Sequence, residues 1–181
     1  RRVLILAFDA VDVVGDFVSL AMIRERERMR VDPKTSAWMM GKTLKILAFA
    51  HMQGISVGSI TGDDILVDRS HHLVSLFDWS EAMRHPGKIP PAIARKEIVS
   101  AAREVILVLG GDPDSGTIPF DKQLLGDKPE EGKKTDNRYQ DLLAGLARGR
   151  FSDAHEAHSA FYRLVEAQWP RKFHPYAAYP L

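Results

Sequence analysis

The chain has 181 residues, 25 Lys+Arg against 24 Asp+Glu, 45% hydrophobic residues and no cysteine. That length suits one domain with a proper core, and a net charge of +1 gives no composition-level reason to expect nucleic acid or an acidic partner. The missing cysteines exclude disulfide staples, zinc ribbons and thiol catalysis, and no apolar run approaches the length of a membrane span. A cytoplasmic protein is the expectation.

Residues 3–8 form a continuous apolar run of strand length at the very start, which predicts a strand whose partners lie upstream, in a larger fold. Residues 9–17 are looser. Residues 22–30 alternate Arg and Glu and read as a charged, solvated helix. Asp32-Pro33 then marks a clear start, with Asp as N-cap and Pro in the first helical position. Ala37, Met40, Leu44, Leu47 and Ala48 recur at helical spacing up to Gly54, which predicts a buried helix carrying Trp38, Met39, Met40 and Phe49 as core residues.

Two short apolar runs, 65–67 and 73–77, flank Asp68-Arg69-Ser70-His71-His72 and predict a hairpin with a polar loop, both histidines facing solvent. A second buried helix is expected over 93–109, closed by Gly110-Gly111, then loop over 112–134. Helices over 139–147 and from the Ser152 N-cap to about 168 follow. Three prolines keep the tail, 169–181, extended on a surface. The fold class predicted is mainly α (α+β).

The candidate chemistry lies at the hairpin's ends. Asp63-Asp64 precede its first strand and Asp78 follows its second, so Asp64 and Asp78 should come within reach of one cation. Oxygen-only ligands of this kind suit Mg²⁺, completed by phosphates and water; otherwise the acids are turn residues. Two carboxylates that close should leave one with a raised pKa in the absence of metal, while Asp63 should point elsewhere. His155 and His158 stand at i, i+3 with no third ligand nearby and read as a surface pair.

From Gly54 the chain reads GISVGSITGDDILVDRSHHLVSLFDWSEA, which resembles the catalytic loop and metal-binding strand pair of the protein-kinase fold. In that register Val57-Gly58-Ser59 falls on the His-Arg-Asp-type triplet, Asp64 on the Asn, and Asp78-Trp79-Ser80 on the Asp-Phe-Gly-type motif. Pro90-Pro91-Ala92 resembles the end of an activation segment, and Glu97-Ile98-Val99-Ser100 the acidic start of the next buried helix. More narrowly, DPKTSAWMMGKTLKILAFAH, the Leu-Gly-Gly-Asp helix end and the segment 169–175 resemble a group of small bacterial kinase-like proteins.

The resemblance implies a kinase-like C-lobe with the N-lobe largely absent: residues 1–20 as the last N-lobe strand and hinge, 21–181 as the C-lobe. It implies Asp64 and Asp78 as ligands of Mg²⁺ and ATP, held weakly by this segment alone, and a protein partner or protein substrate, with neither nucleic acid nor membrane. Ser59 stands where the catalytic Asp belongs, and a hydroxyl cannot take a proton near neutral pH; losing a base costs about 10²–10⁴ in rate. The expectation is therefore a pseudokinase or a very weak serine/threonine-type kinase. An active enzyme would need another base, with Asp63 the sequence neighbour to consider. The Asp78-Trp79 pair also resembles small-molecule kinases of the aminoglycoside-phosphotransferase type, and a non-catalytic interaction scaffold is the third alternative.

Overall fold

The computed structural model describes residues 17–118, 137–169 and 173–181. The expected strand over 3–8 and most of the hinge and of the 112–134 loop lie outside them. About 49% of the described residues are helical, and the strands form only small antiparallel sheets, so the architecture is α+β. No helix among the described residues is long and apolar enough to cross a membrane.

Helix α1, Pro33–Met52, is the axis of the molecule. Asp32 caps it by accepting from the Thr35 N–H at 2.5 Å, and Pro33 occupies the first turn, where its missing donor costs nothing. Ala37, Met40, Leu44 and Leu47 are buried, as the periodicity requires. So are Met39, Gly41, Thr43 and Ala50, because α1 is covered on several sides. It packs against α2 (Pro91–Val108) and α4 (Ala154–Gln168), and α2 packs against α3 (Arg138–Ala147). Buried hydroxyls on α1 bond to their own helix: Ser36 Oγ to the Pro33 carbonyl, Thr43 Oγ1 to that of Met39. Phe49 departs from expectation, 63% exposed, because it lies off the stripe that ends at Leu47.

The hairpin forms as predicted, β4 (Ile65–Asp68) against β5 (Leu73–Leu76), with Ile65 opposite Leu76. A third strand, β1 (Phe17–Ser19), pairs with β4, and β5 lies against α1. Asp68, wholly buried at the end of β4, accepts from the Ser70 and His71 N–H groups and from the His71 ring. Burial pushes its carboxyl up, but the His71 and Ser70 hydrogen bonds outweigh that and hold it below the ordinary Asp value.

Two expectations, for the 22–30 segment and the cap of α4, need correction, while the tail is extended on the surface as expected. The solvated helix over 22–30 is a single wide turn, Met22–Arg26, followed by Arg28 at φ 57° and strand β2 (Met29–Val31). A helix polar all round has no face to bury, whereas the turn buries Ile23 and sends its charges to partners: Arg24 to Glu25 and Glu104, Glu27 to Arg69. Asp153, not Ser152, caps α4, accepting from the Glu156 N–H at 2.9 Å. The tail ends in strand β7 (Ala178–Pro180), antiparallel to β2; Pro180 is tolerated because the ribbon has only two strands. His174 Nε2 lies 2.6 Å from Asp32 Oδ2, which fastens the tail to the N-terminus of α1.

Asp32→Ala removes both the cap and the His174 contact and should cost about 1–2 kcal/mol in urea denaturation. Asp32→Asn, still a cap, should cost less; equal losses would mean the cap is irrelevant. Because the native pKa of Asp68 is depressed, its stabilisation is complete above about pH 4 and is lost as pH falls through the lowered native value. Asp68→Asn should lower the denaturation midpoint at neutral pH and flatten its decline as the pH falls below about 4. Parallel pH profiles for the two proteins would contradict this.

Candidate functional site

Gln53 caps the end of helix α1, and Gly54, at φ 70°, turns the chain into the two-residue strand β3 (Ile55–Ser56). That strand pairs with β6 (Met83–Arg84), the segment that follows Asp78. The loop between β3 and β4 is thereby set against the turn between β5 and β6. Val57 and Ile60 are buried beneath the loop, so Ser59 and Thr61 are presented on its open side.

The loop is held from inside by Glu97, in the second turn of α2 and 0% exposed. Its Oε1 accepts from the Gly58 N–H at 2.8 Å, and its Oε2 lies 2.6 Å from His51 Nε2 in the last turn of α1. One buried carboxylate thus joins both core helices to the loop. A carboxylate so placed is tolerable only because both oxygens are bonded.

The hairpin brings its ends together, as its topology demands. The Phe77 N–H donates to the Asp64 carbonyl at 2.9 Å, which leaves Asp78 one residue beyond that tie. Ser59, Thr61, Asp64, Asp78, Ser80 and Glu81 line one cleft of about 240 Å³. All three sequence-derived site residues, Ser59, Asp64 and Asp78, are there. Asp63 is not: its Oδ1 accepts from Ser19 Oγ at 3.3 Å, on the β1 side.

Each acid is oriented by its own turn. Asp64 Oδ2 accepts from the N–H and the Oγ1 of Thr61, both at 2.7 Å. Asp78 Oδ1 accepts from the Ser80 N–H at 2.8 Å, and the indole of Trp79 fixes the same turn by donating to the Leu76 carbonyl at 2.7 Å. The expectation of a raised carboxyl pKa fails at Asp78. Its hydrogen bonds from Ser80, backbone first and then side chain, favour the charged form and hold it below the ordinary value. The group is fully solvated, so water rather than protonation offsets the neighbouring charge.

Chemically, the cleft offers carboxylate oxygens from Asp64, Asp78 and Glu81 and, among the described residues, no basic side chain in its lining. Among the described residues no group of three His, Cys, Asp or Glu is gathered closely enough to hold a metal unaided. Two carboxylates suit Mg²⁺ when phosphate oxygens and water supply the other positions. Among the described residues His155 and His158 gather no third ligand; the His158 ring packs on Tyr162, centroids 5.1 Å apart.

Sequence reasoning missed two features. Glu81 lies in the cleft, its Oε2 accepting from the Ser59 N–H at 3.1 Å, and the only cue was its place three residues after Asp78. His72 is not solvent-facing. It stacks between Trp38 (4.7 Å, 6°) and Phe173 (4.6 Å, 16°) on the rim of a groove of about 720 Å³ between α1, α4 and the tail. Burial, with the Lys42 charge beside it, pushes its pKa down. His71 remains half outside while bonding Asp68.

Compared with known proteins, the chain matches no family model, and no curated protein is similar to it.

Glu97→Ala strands the Gly58 N–H and His51 Nε2 in the interior and should cost about 2–5 kcal/mol. Amide exchange at Gly58 should speed up even under conditions where α1 stays protected. Uniform acceleration across α1 and the loop would show that Glu97 supports only global stability.

Proposed function

We propose that this chain is the catalytic-loop lobe of a protein-kinase-like phosphotransferase, with Asp64 and Asp78 as the carboxylates that hold Mg²⁺ on a nucleoside triphosphate. The observation that carries this is the meeting of Ser59, Asp64 and Asp78 in one cleft. They fall there in the order and spacing that the kinase resemblance assigns to base position, first metal ligand and second metal ligand. The tethering of that loop by Glu97, where the resemblance places the acidic start of the next helix, supports the same register.

In this reading the metal neutralises charge on the phosphate oxygens, and the protein contributes alignment and electrostatics, which carry most of phosphoryl transfer. Asp78, kept ionised by Ser80, serves a cation at any physiological pH. Asp64 in place of an amide keeps an oxygen donor and adds a negative charge. Thr61 orients its carboxylate. Ser59 cannot accept a proton, so turnover is slow unless another group supplies the base, and the acceptor is a protein hydroxyl. Trp79 anchors the metal turn through its indole rather than leaving it free to swing.

The test is a Mn²⁺ titration of the 181-residue chain, with and without ATP, followed by paramagnetic broadening in NMR. Resonances around Asp64 and Asp78 should broaden first, at lower Mn²⁺ when ATP is present. Asp78→Ala should abolish the effect and Asp63→Ala should leave it. Equal loss in both variants, or broadening centred on His155 and His158, would reduce the acids to turn residues of an interaction scaffold.

A further inference from the structure

We propose that Glu81 supplies the general base that position 59 lacks, taking the proton of an acceptor hydroxyl as that hydroxyl attacks the terminal phosphorus of a nucleoside triphosphate. This rests on the phosphotransfer reading above and deepens it.

Geometry carries the assignment. The Glu81 carboxylate lies against the backbone of residue 59, Oε2 accepting the Ser59 N–H at 3.1 Å. It therefore stands beside the volume that an aspartate side chain at position 59 would fill. One oxygen is engaged and fixes the group. The other, Oε1, carries no hydrogen bond among the described residues, and the side chain is exposed in the cleft shared with Asp64 and Asp78. A fixed carboxylate with an uncommitted oxygen is what a general base needs to meet a hydroxyl.

The approach is built into the backbone. The pairing of β3 with β6 sets the two turns side by side, Ser56 opposite Met83. Gly58, at φ 106°, then passes so near Glu81 that a Cβ on it would fall 2.6 Å from the Glu81 Cβ. No side chain fits at position 58 with Glu81 in place, so the glycine and the glutamate form one arrangement. The other acids have different places. Asp63 faces Ser19 outside the cleft, and Asp78 is stabilised as the anion by Ser80 and so makes a poor proton acceptor.

The step balances without further reagents. The acceptor oxygen forms its bond to the γ-phosphorus, and the bond from that phosphorus to the β–γ bridging oxygen breaks. The nucleoside diphosphate leaves with the electron pair, and the acceptor's proton passes to Glu81 Oε1 and on to water. With a loose transition state the proton moves late, so a carboxylate that orients the hydroxyl is sufficient.

The experiment measures phosphate transfer from [γ-³²P]ATP, to the protein itself and to casein, on the complete gene product. Glu81→Gln keeps an acceptor for the Ser59 N–H and should slow transfer by about 10²–10⁴ while leaving Mn²⁺·ATP broadening at Asp78 intact. Adding Ser59→Asp to Glu81→Gln should restore transfer, which a merely structural role for Glu81 would not allow. Gly58→Ala should behave like Glu81→Gln. Transfer indifferent to Glu81→Gln, no rescue in the double variant, or a wild-type protein that binds Mn²⁺·ATP without transferring phosphate would each overturn the assignment and leave the nucleotide site standing. Loss of the Asp78 broadening in the wild type would instead sink the phosphotransfer reading itself.

Discussion

The carboxylate of Glu97 is the constraint on which the site depends. It is sealed from water, and a charge in that position must be met by donors that do not move. His51 and the Gly58 N–H are those donors, one from the end of α1 and one from the loop. The loop cannot shift without stranding either the carboxylate or the amide, and each stranded group costs more than an ordinary exposed contact returns. A segment with few apolar anchors, Val57 and Ile60, is therefore tied to the helices beneath it by a polar contact as well. The buried core is built by α1, α2, α3 and α4; the geometry of the cleft is transmitted from α1 and α2 through this one group.

Above the loop, precision comes from short pieces of structure. The hairpin tie between Phe77 and Asp64, the Ser80 turn on Asp78 and the two-residue pairing of β3 with β6 each fix a single relation. None would persist alone, since a ribbon of two residues cannot repay its own ordering. They persist because Trp79 packs against the core and because β5 is laid on α1. The acids are therefore oriented by turns that the core holds in place, which leaves their free oxygens toward solvent.

How much of this the sequence disclosed follows the range of the forces involved. Helix α1 was legible because its cap, its proline and its apolar period are all local, and α2 and the hairpin were legible for the same reason. Asp64 and Asp78 were found because topology alone brings the ends of a hairpin together, and Ser59 was singled out only by the resemblance to the kinase catalytic loop. Glu81 was not, because its meeting with Ser59 depends on β3 and β6, whose two residues apiece carry no periodicity. The stacking of His72 between Trp38 and Phe173 joins three distant segments, and a polar loop gives no hint of it. The tail strand was hidden by its prolines, which argue against a strand everywhere except on a two-stranded ribbon. The Arg-Glu run misled because charge alternation describes a solvated surface without saying which backbone carries it.

Both ends of α1 are closed by a histidine and a carboxylate brought from far along the chain. At its start Asp32 caps the helix and meets His174; at its last turn His51 meets Glu97. Each group also suits the helix dipole, the acid at the N-terminus and the histidine at the C-terminus. The two pairs differ in what they secure. The first holds the tail and, through it, one wall of the aromatic groove; the second holds the loop that carries Ser59. Twenty helical residues separate them by about 30 Å, too far for direct interaction between the charges across screened solvent. The helix therefore acts as a rigid spacer between two independent attachments, so the loop inherits its position from the helix core and not from the tail.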